Sequence, residues 1–234
     1  MEQDSISLNK YISSTGICSR READRWIESG RITINGKKAQ KGNRVFPGDK
    51  IKVDGKSLRR GDKPIYLLFH KPPGITSTTD RKDKDNIIDY INHKKRIFPV
   101  GRLDKASSGL IIMTNDGDMV NKILRKEHKH EKEYVVKVDK PITPVFMNRM
   151  SKPIPMLGTK TLPAQVIQLN SHLFKIILIQ GLNRQIRRMC EFCGYKVVTL
   201  KRIRIMHLEL GKLSPGQWRK LSKEELSRLK QSVK

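Results

Sequence analysis

Gly101-Arg102-Leu103-Asp104-Lys105-Ala106-Ser107-Ser108-Gly109-Leu110-Ile111-Ile112-Met113 joins a charged turn directly to an apolar run. Leu110 to Met113 reads as a buried strand. The small residues before it read as a tight loop held at that strand's end. Asp104 is the loop's one carboxylate, set between Arg102 and Lys105. Neighbouring positive charge favours the ionised form of a carboxylate. Such a group suits nucleophilic or general-base work beside a bound polyanion. Taken alone, the same residues also fit a surface turn with a solvated salt bridge.

Working outward, Ile65-Tyr66-Leu67-Leu68-Phe69 is a second unbroken apolar run, stopped by the basic turn His70-Lys71-Pro72-Pro73-Gly74. Further strands are expected at 110–113, 133–138, 174–179 and 197–205. A helix is expected after Asn115-Asp116-Gly117, with Met119, Val120, Ile123 and Leu124 on one side. Another is expected over 184–192, capped by Asn183, with Ile186, Met189 and Cys190 inward. Ser222 and Glu225 have capping-box spacing and announce a last helix. Strands and helices in irregular order point to an α+β fold with a mixed, mostly antiparallel sheet over residues 64–234.

Two stretches of this region carry further chemistry. In Gln180-Gly181-Leu182-Asn183-Arg184-Gln185-Ile186-Arg187-Arg188-Met189, the spacing puts Arg184, Arg187 and Arg188 away from the apolar face. A basic helix start suits phosphate, though a solvated basic face has the same pattern. In Leu200-Lys201-Arg202-Ile203-Arg204-Ile205, alternation predicts Arg202 and Arg204 on one face and Ile203 and Ile205 on the other. Tyr134 reads as a strand aromatic that either fills a core or stacks on an unpaired base. Cys190 and Cys193 have CxxC spacing without a second pair of ligands, so no metal is expected.

The chain has 49 Lys and Arg against 23 Asp and Glu, a formal charge of +26. Such a surface calls for a polyanionic partner, by default RNA or DNA. Residues 1–63 contribute +7 and residues 64–234 the other +19, so both parts are expected to touch nucleic acid. No apolar run approaches the ~20 residues of a membrane span. Three cysteines do not suggest a disulfide framework. The amino terminus lacks the basic and apolar regions of a signal peptide, and a cytoplasmic protein is expected.

Residues 5–53 read as a separate small module. Leu8, Tyr11 and Ile12 have helical spacing, and Ser19 with Glu22 opens a second helix burying Ala23, Trp26 and Ile27. Gly30 closes that helix. Ile32-Thr33-Ile34 leads into Asn35-Gly36, a strong hairpin signal. Arginines rim the module. Residues 54–63 carry few apolar side chains and read as a linker.

These segments resemble two known families. Leu8-Asn9-Lys10-Tyr11, Cys18-Ser19-Arg20-Arg21-Glu22-Ala23-Asp24 and Gly30-Arg31-Ile32-Thr33-Ile34-Asn35-Gly36 are similar to the S4 RNA-binding domain. The stretch around Gly101-Arg102-Leu103-Asp104, together with Lys132-Glu133-Tyr134-Val135 and Asn183-Arg184-Gln185-Ile186-Arg187-Arg188, resembles RNA pseudouridine synthases. The run Gly181 to Glu191 points to the RluF-like branch of the RsuA family. The resemblance spans almost the whole chain.

It implies an enzyme that isomerises uridine to pseudouridine by breaking N1–C1′, turning the ring and joining C5 to C1′. The atoms balance, so no cofactor is required. Asp104 is the essential carboxylate, attacking C1′ or the ring, or removing the 2′ proton. Arg187 pairs with it, and Tyr134 and Ile205 sandwich the uracil. Arg102 fills the vacated space or holds a phosphate. Arg184 and Lys71 are read as further substrate contacts, and Lys10, Arg20, Arg21, Arg25 and Arg31 as RNA contacts. The implied partner is 23S (large-subunit) ribosomal RNA, with a tRNA anticodon arm as a second substrate, and a monomer is expected. The competing readings are a non-catalytic S4-type ribosome-assembly protein and a synthase for small-subunit ribosomal RNA.

Overall fold

The computed structural model describes residues 5–58, 63–124 and 129–233, which divide into two units. The first runs through the amino-terminal module to Pro64 and also takes in Lys94–Arg96 and Asn115–Gly117. Its elements are β1 (Ile6–Ser7), α1 (Leu8–Ser14), α2 (Arg20–Glu28), β2 (Ile32–Ile34), β3 (Lys37–Lys38), β4 (Arg44–Val45), β5 (Ile51–Val53) and β6 (Lys56–Ser57).

Leu8 and Ile12 of α1 meet Ala23 and Ile27 of α2 in one small core with Ile32, Val45 and Ile51. Ser19 accepts a hydrogen bond from the Glu22 amide, which fixes where α2 begins. Asn35 and Gly36 both have positive φ, at 52° and 83°, as the tight β2–β3 hairpin requires. The sheet order is β3-β2-β5-β6. Because β6 pairs with β5 across the turn at Asp54-Gly55, residues 54–57 form a hairpin rather than a linker. Polar residues hid this short edge strand, since it needs only backbone pairing. Residues 59–62 of the expected linker lie outside the described residues.

The second unit continues with β7 (Tyr66–Lys71), α3 (Ile87–Ile91), β8 (Phe98–Val100), β9 (Ser108–Thr114), α4 (Gly117–Leu124), β10 (Lys132–Val138) and α5 (Pro144–Ser151). There follow β11 (Pro155–Met156), β12 (Thr159–Lys160), β13 (Gln165–Gln168), β14 (Leu173–Leu178), α6 (Gln185–Phe192), β15 (Val197–Ile205), β16 (Leu208–Glu209), β17 (Trp218–Lys220) and α7 (Lys223–Ser232). The main sheet has the path β13-β14-β10-β15-β9-β7-β17, with β8 paired to β9 and β16 to β15. Among the described residues of this sheet only β9 and β15 run parallel; the other pairs are antiparallel. This is the mixed, mostly antiparallel α+β domain.

Alternate residues of the central strands feed two cores, as a sheet covered on both faces demands. Leu67, Phe69, Ile111 and Met113 pack with Val136, Phe174 and α6. Tyr66, Leu68, Leu110 and Ile112 pack with Met119, Ile123 and Leu229 of α7. The capping box at Ser222 and Glu225 is present in full.

Strand β15 departs from simple alternation. Tyr134 of β10 lies opposite Arg202, but Glu133 lies opposite Arg204, leaving Ile203 as an extra residue in a β-bulge. Opposed residues of an antiparallel pair share a face. Arg202 and Ile205 therefore face the same side as Tyr134 and Lys132, while Arg204 faces the other. This corrects the expectation that Arg202 and Arg204 share a face, because the inserted residue resets the period of two.

Candidate active site

The chain leaves β8 at Val100, turns through Gly101 at φ 76°, and enters β9 at Ser108. Between them Leu103 is buried and serves as the loop's anchor. The Ser77 hydroxyl grips it from both sides, accepting from the Leu103 amide at 3.1 Å and donating to its carbonyl at 2.9 Å. The Ser107 amide closes a turn onto the Asp104 carbonyl at 3.0 Å. Asp104 is thus held at its backbone while its side chain stays about one-third exposed.

Lys71 sits beneath this loop. It is fully buried, and its ammonium donates to the carbonyls of Pro72, Ile75 and Lys105 at 2.9, 2.7 and 3.2 Å. Burial pulls this group down to about 8, against which the Asp104 charge pulls it up. Lys71 is therefore not brought to the substrate-facing surface that the sequence suggests. An apolar stem carries its charge inward to three carbonyls, of which that of Lys105 also accepts from the Gly74 amide.

The cation beside Asp104 is Arg187, on the first turn of α6. Its Nε lies 3.7 Å from Asp104 Oδ2, while Nη2 donates to the buried Ser107 hydroxyl at 3.2 Å and Nη1 to the Val197 carbonyl at 3.4 Å. Nε itself is buried without a hydrogen-bond partner among the described residues. The flanking cations of the loop do other work. Lys105 pairs with Asp85 at 2.7 Å, and Arg102 is exposed at the cavity's edge.

Helix α6 starts at Gln185, not Arg184, and Asn183 does not cap it. Arg184 takes the N-cap position in a left-handed conformation, φ 51° and ψ 31°. The Gln185 side chain instead accepts from the Leu182 amide at 3.0 Å, which fixes the turn before the helix. Arg188 folds back onto the Asn183 carbonyl at 3.2 Å.

Asp104, Arg102, Tyr134, Arg184 and Ile205 all line one cavity of about 370 Å³. Its walls also include Leu124, Lys132, Leu178, Gln180, Leu200 and Arg202. That volume falls within the range of small-ligand clefts. Tyr134 and Ile205 are both buried and give the cavity an aromatic and an aliphatic wall. On the opposite face Glu133 binds Arg204 at 2.6 Å and Lys175 at 2.9 Å. Burial alone would raise the Glu133 carboxyl, but hydrogen bonds from Arg204 and Lys175 outweigh it and hold it low.

Sequence reasoning missed Ser77, Ser107, Lys132 and Arg202. Lys132 lies two residues before Tyr134, a spacing that itself places both on one face. Nothing local signals Ser77, whose partner is 26 residues away.

In the amino-terminal unit, Arg20, Arg21 and Arg25 are exposed on α2 and Lys10 is half-buried on α1. Arg31 is engaged: its guanidinium hydrogen-bonds Asp54 and lies 4.7 Å from the centre of the Trp26 ring. Among the described residues no group of three or more His, Cys, Asp or Glu gathers as a metal site, and Cys190 is fully buried.

An α+β sheet carrying a carboxylate–arginine pair in a cleft with an aromatic wall matches a known class. The sequence pattern of RNA pseudouridylate synthases fits residues 65–192, and that of the S4 domain fits residues 7–51. The chain belongs to the RNA pseudouridylate synthase family, and it is an enzyme that forms pseudouridine in RNA. Among individual proteins it is 53% identical to the dual-specificity RNA pseudouridine synthase RluF of Escherichia coli K12, over 97% of this chain and 79% of that one. It is 36% identical to the ribosomal large subunit pseudouridine synthase B of Bacillus subtilis, over 95% of each chain. A crystal structure of a pseudouridylate synthase superposes with a TM-score of 0.70 at 26% identity, covering 96% of this chain and 99% of that one.

Proposed function

We propose that this enzyme converts a specific uridine of 23S ribosomal RNA to pseudouridine, with a tRNA anticodon arm as a second substrate. Asp104 is the catalytic carboxylate. The observation that carries this reading is its position in a cleft 3.7 Å from Arg187, in a cavity shared with Tyr134 and Ile205. The relatives called dual-specificity synthase and large subunit synthase support the choice of RNA.

The target leaves its stack at a cost of a few kcal/mol and enters the cavity, least expensively from a loop. Tyr134 and Ile205 hold the ring between them. Arg187 keeps Asp104 aimed at the sugar or base, and Arg102 at the edge takes the vacated space or the neighbouring phosphate. Arg184 adds a cation at the cavity wall. The S4 module docks the structured RNA through Lys10, Arg20, Arg21 and Arg25. The enzyme works as a monomer in the cytoplasm; among the described residues no helix is long and apolar enough to cross a membrane.

Incubation with deproteinised ribosomal RNA and with tRNA, followed by mapping of carbodiimide-resistant stops after alkaline treatment, tests the assignment. A new stop in large-subunit RNA is expected. A stop confined to small-subunit RNA would replace the proposed substrate.

A further inference from the structure

Arg202 is only 4% exposed, yet its guanidinium is incompletely satisfied. Nε donates to the Leu110 carbonyl at 2.7 Å, whereas Nη2 is buried with no hydrogen-bond partner among the described residues. Lys132 lies on the neighbouring strand and the same face, and its Nζ has one hydrogen-bond partner among the described residues, the His130 carbonyl at 3.2 Å. Burial lowers the Lys132 ammonium, and the Arg202 charge lowers it further, so the two cations feel one another. Neither enters an ion pair among the described residues. Among the described residues the only carboxylate lining their cavity is Asp104, which is already beside Arg187.

The opposite face of the same two strands shows what folding does when charges are structural. There Arg204 and Lys175 are matched by Glu131 and Glu133. On the cavity face two cations are brought together with no ion-pair partner among the described residues, an arrangement that costs stability unless a ligand supplies the charge. We propose that Arg202 and Lys132 form a phosphate-binding subsite inside the catalytic cavity, engaging a phosphodiester that flanks the flipped uridine. This rests on the reading that the cavity receives that nucleotide. A phosphodiester carries a full charge before any chemistry, which a uracil carbonyl does not. A guanidinium fork is suited to its paired oxygens, and flipping a nucleotide about its backbone carries the adjoining phosphates toward the cavity.

The probe is a synthetic RNA stem-loop with one uridine in its loop, prepared unmodified and with a single neutral methylphosphonate on either side of that uridine. Full-length wild type, Arg202→Gln, Arg202→Lys and Lys132→Gln are compared for binding at several salt concentrations. Arg202→Gln should weaken binding of the unmodified RNA by roughly 10- to 100-fold, as for a lost charged hydrogen bond. Its salt slope should be shallower by roughly 0.7 to 0.9. One methylphosphonate should weaken wild-type binding and leave Arg202→Gln unchanged, a non-additivity that marks direct contact. Lys132→Gln, at a half-buried position, should show the same pattern in smaller measure, and it decides the matter if Arg202→Gln does not fold. Arg202→Lys should restore the salt slope without restoring full affinity.

Equal methylphosphonate penalties in wild type and variants at both linkages would overturn the subsite. So would variants that lose only the rate at saturating RNA, since the cations would then be acting on the base. Conversion by the wild type is scored separately. Binding in the expected pattern without pseudouridine formation counts against the proposed substrate and not against the subsite.

Discussion

The backbones of Gly109 and Arg202 approach so closely that a Cβ on Gly109 would overlap the Arg202 carbonyl. This contact lies at the parallel pairing of β9 with β15, where Gly109 is in register with Arg202 and has a φ of 111°. The strand that carries the Asp104 loop is thereby fixed to the strand that carries Arg202 and Ile205. Glycine is required here twice over, for its conformation and for its missing side chain.

Gly109→Ala should lower stability by at least ~2 kcal/mol, combining backbone strain with the overlap. The measurement is the urea midpoint at constant slope. An unshifted midpoint would mean the two strands can separate without cost.

Asp104→Asn keeps the side chain's shape and removes its charge and basicity. Single-turnover pseudouridine formation should fall by at least about a thousandfold, with RNA affinity close to wild type. Turnover within tenfold of wild type would remove Asp104 from the mechanism.

Tyr134→Phe keeps the stacking face and loses the hydroxyl. Base capture should persist, while a later proton transfer slows by roughly a hundredfold or more. Unchanged single-turnover rates would reduce Tyr134 to packing.

Lys71 titrates near the physiological range, at about 8 rather than 10.5. Its deprotonation removes one of three N–H donors and the charge under the Asp104 loop, loosening that support, so the single-turnover rate should decline above pH ~8. The stability effect has the opposite sign. Between about 8 and 10.5 the unfolded chain holds the extra proton, so this group adds stability as pH rises. Lys71→Met should be slower at every pH and lack this alkaline limb. A limb that persists in Lys71→Met belongs to another group.

Replacing Arg20, Arg21 and Arg25 together by Ala removes three exposed charges from α2 without touching its buried side. Binding to structured ribosomal RNA should weaken and the slope of log K against log salt should flatten by roughly 0.7 to 0.9 per lost phosphate contact. Short stem-loops should be affected far less. A slope equal to wild type would place RNA docking elsewhere.

Much of the scaffold was legible because it is written locally. The apolar run Leu110–Met113, the period of α6 and the two caps at Ser19 and Ser222 each depend on neighbours within a few residues. Arg187 was legible through the motif it belongs to, although its spatial partners Asp104, Ser107 and Val197 come from three places in the chain. The charges were harder to read. Composition shows a cation at Lys71, Lys105 or Arg31, but not that it will be spent on buried carbonyls, on Asp85 or on Asp54. The pairing of Arg202 with Ile205 on one face was hidden because alternation gives no sign of a bulge, whose position only the partner strand reveals.

The extra residue at Ile203 makes the cavity depend on how β15 is paired as well as on chemistry. Before it Leu200 and Arg202 line the cavity; after it Ile205 does. Drawing Ile203 into the ladder, with the residue count unchanged, would turn Arg204 inward in place of Ile205 and strip Glu133 of its partner on the far side, though every residue kept its identity. The identities of these residues therefore do not settle which of them reach the cavity; the pairing of β15 with β10 does.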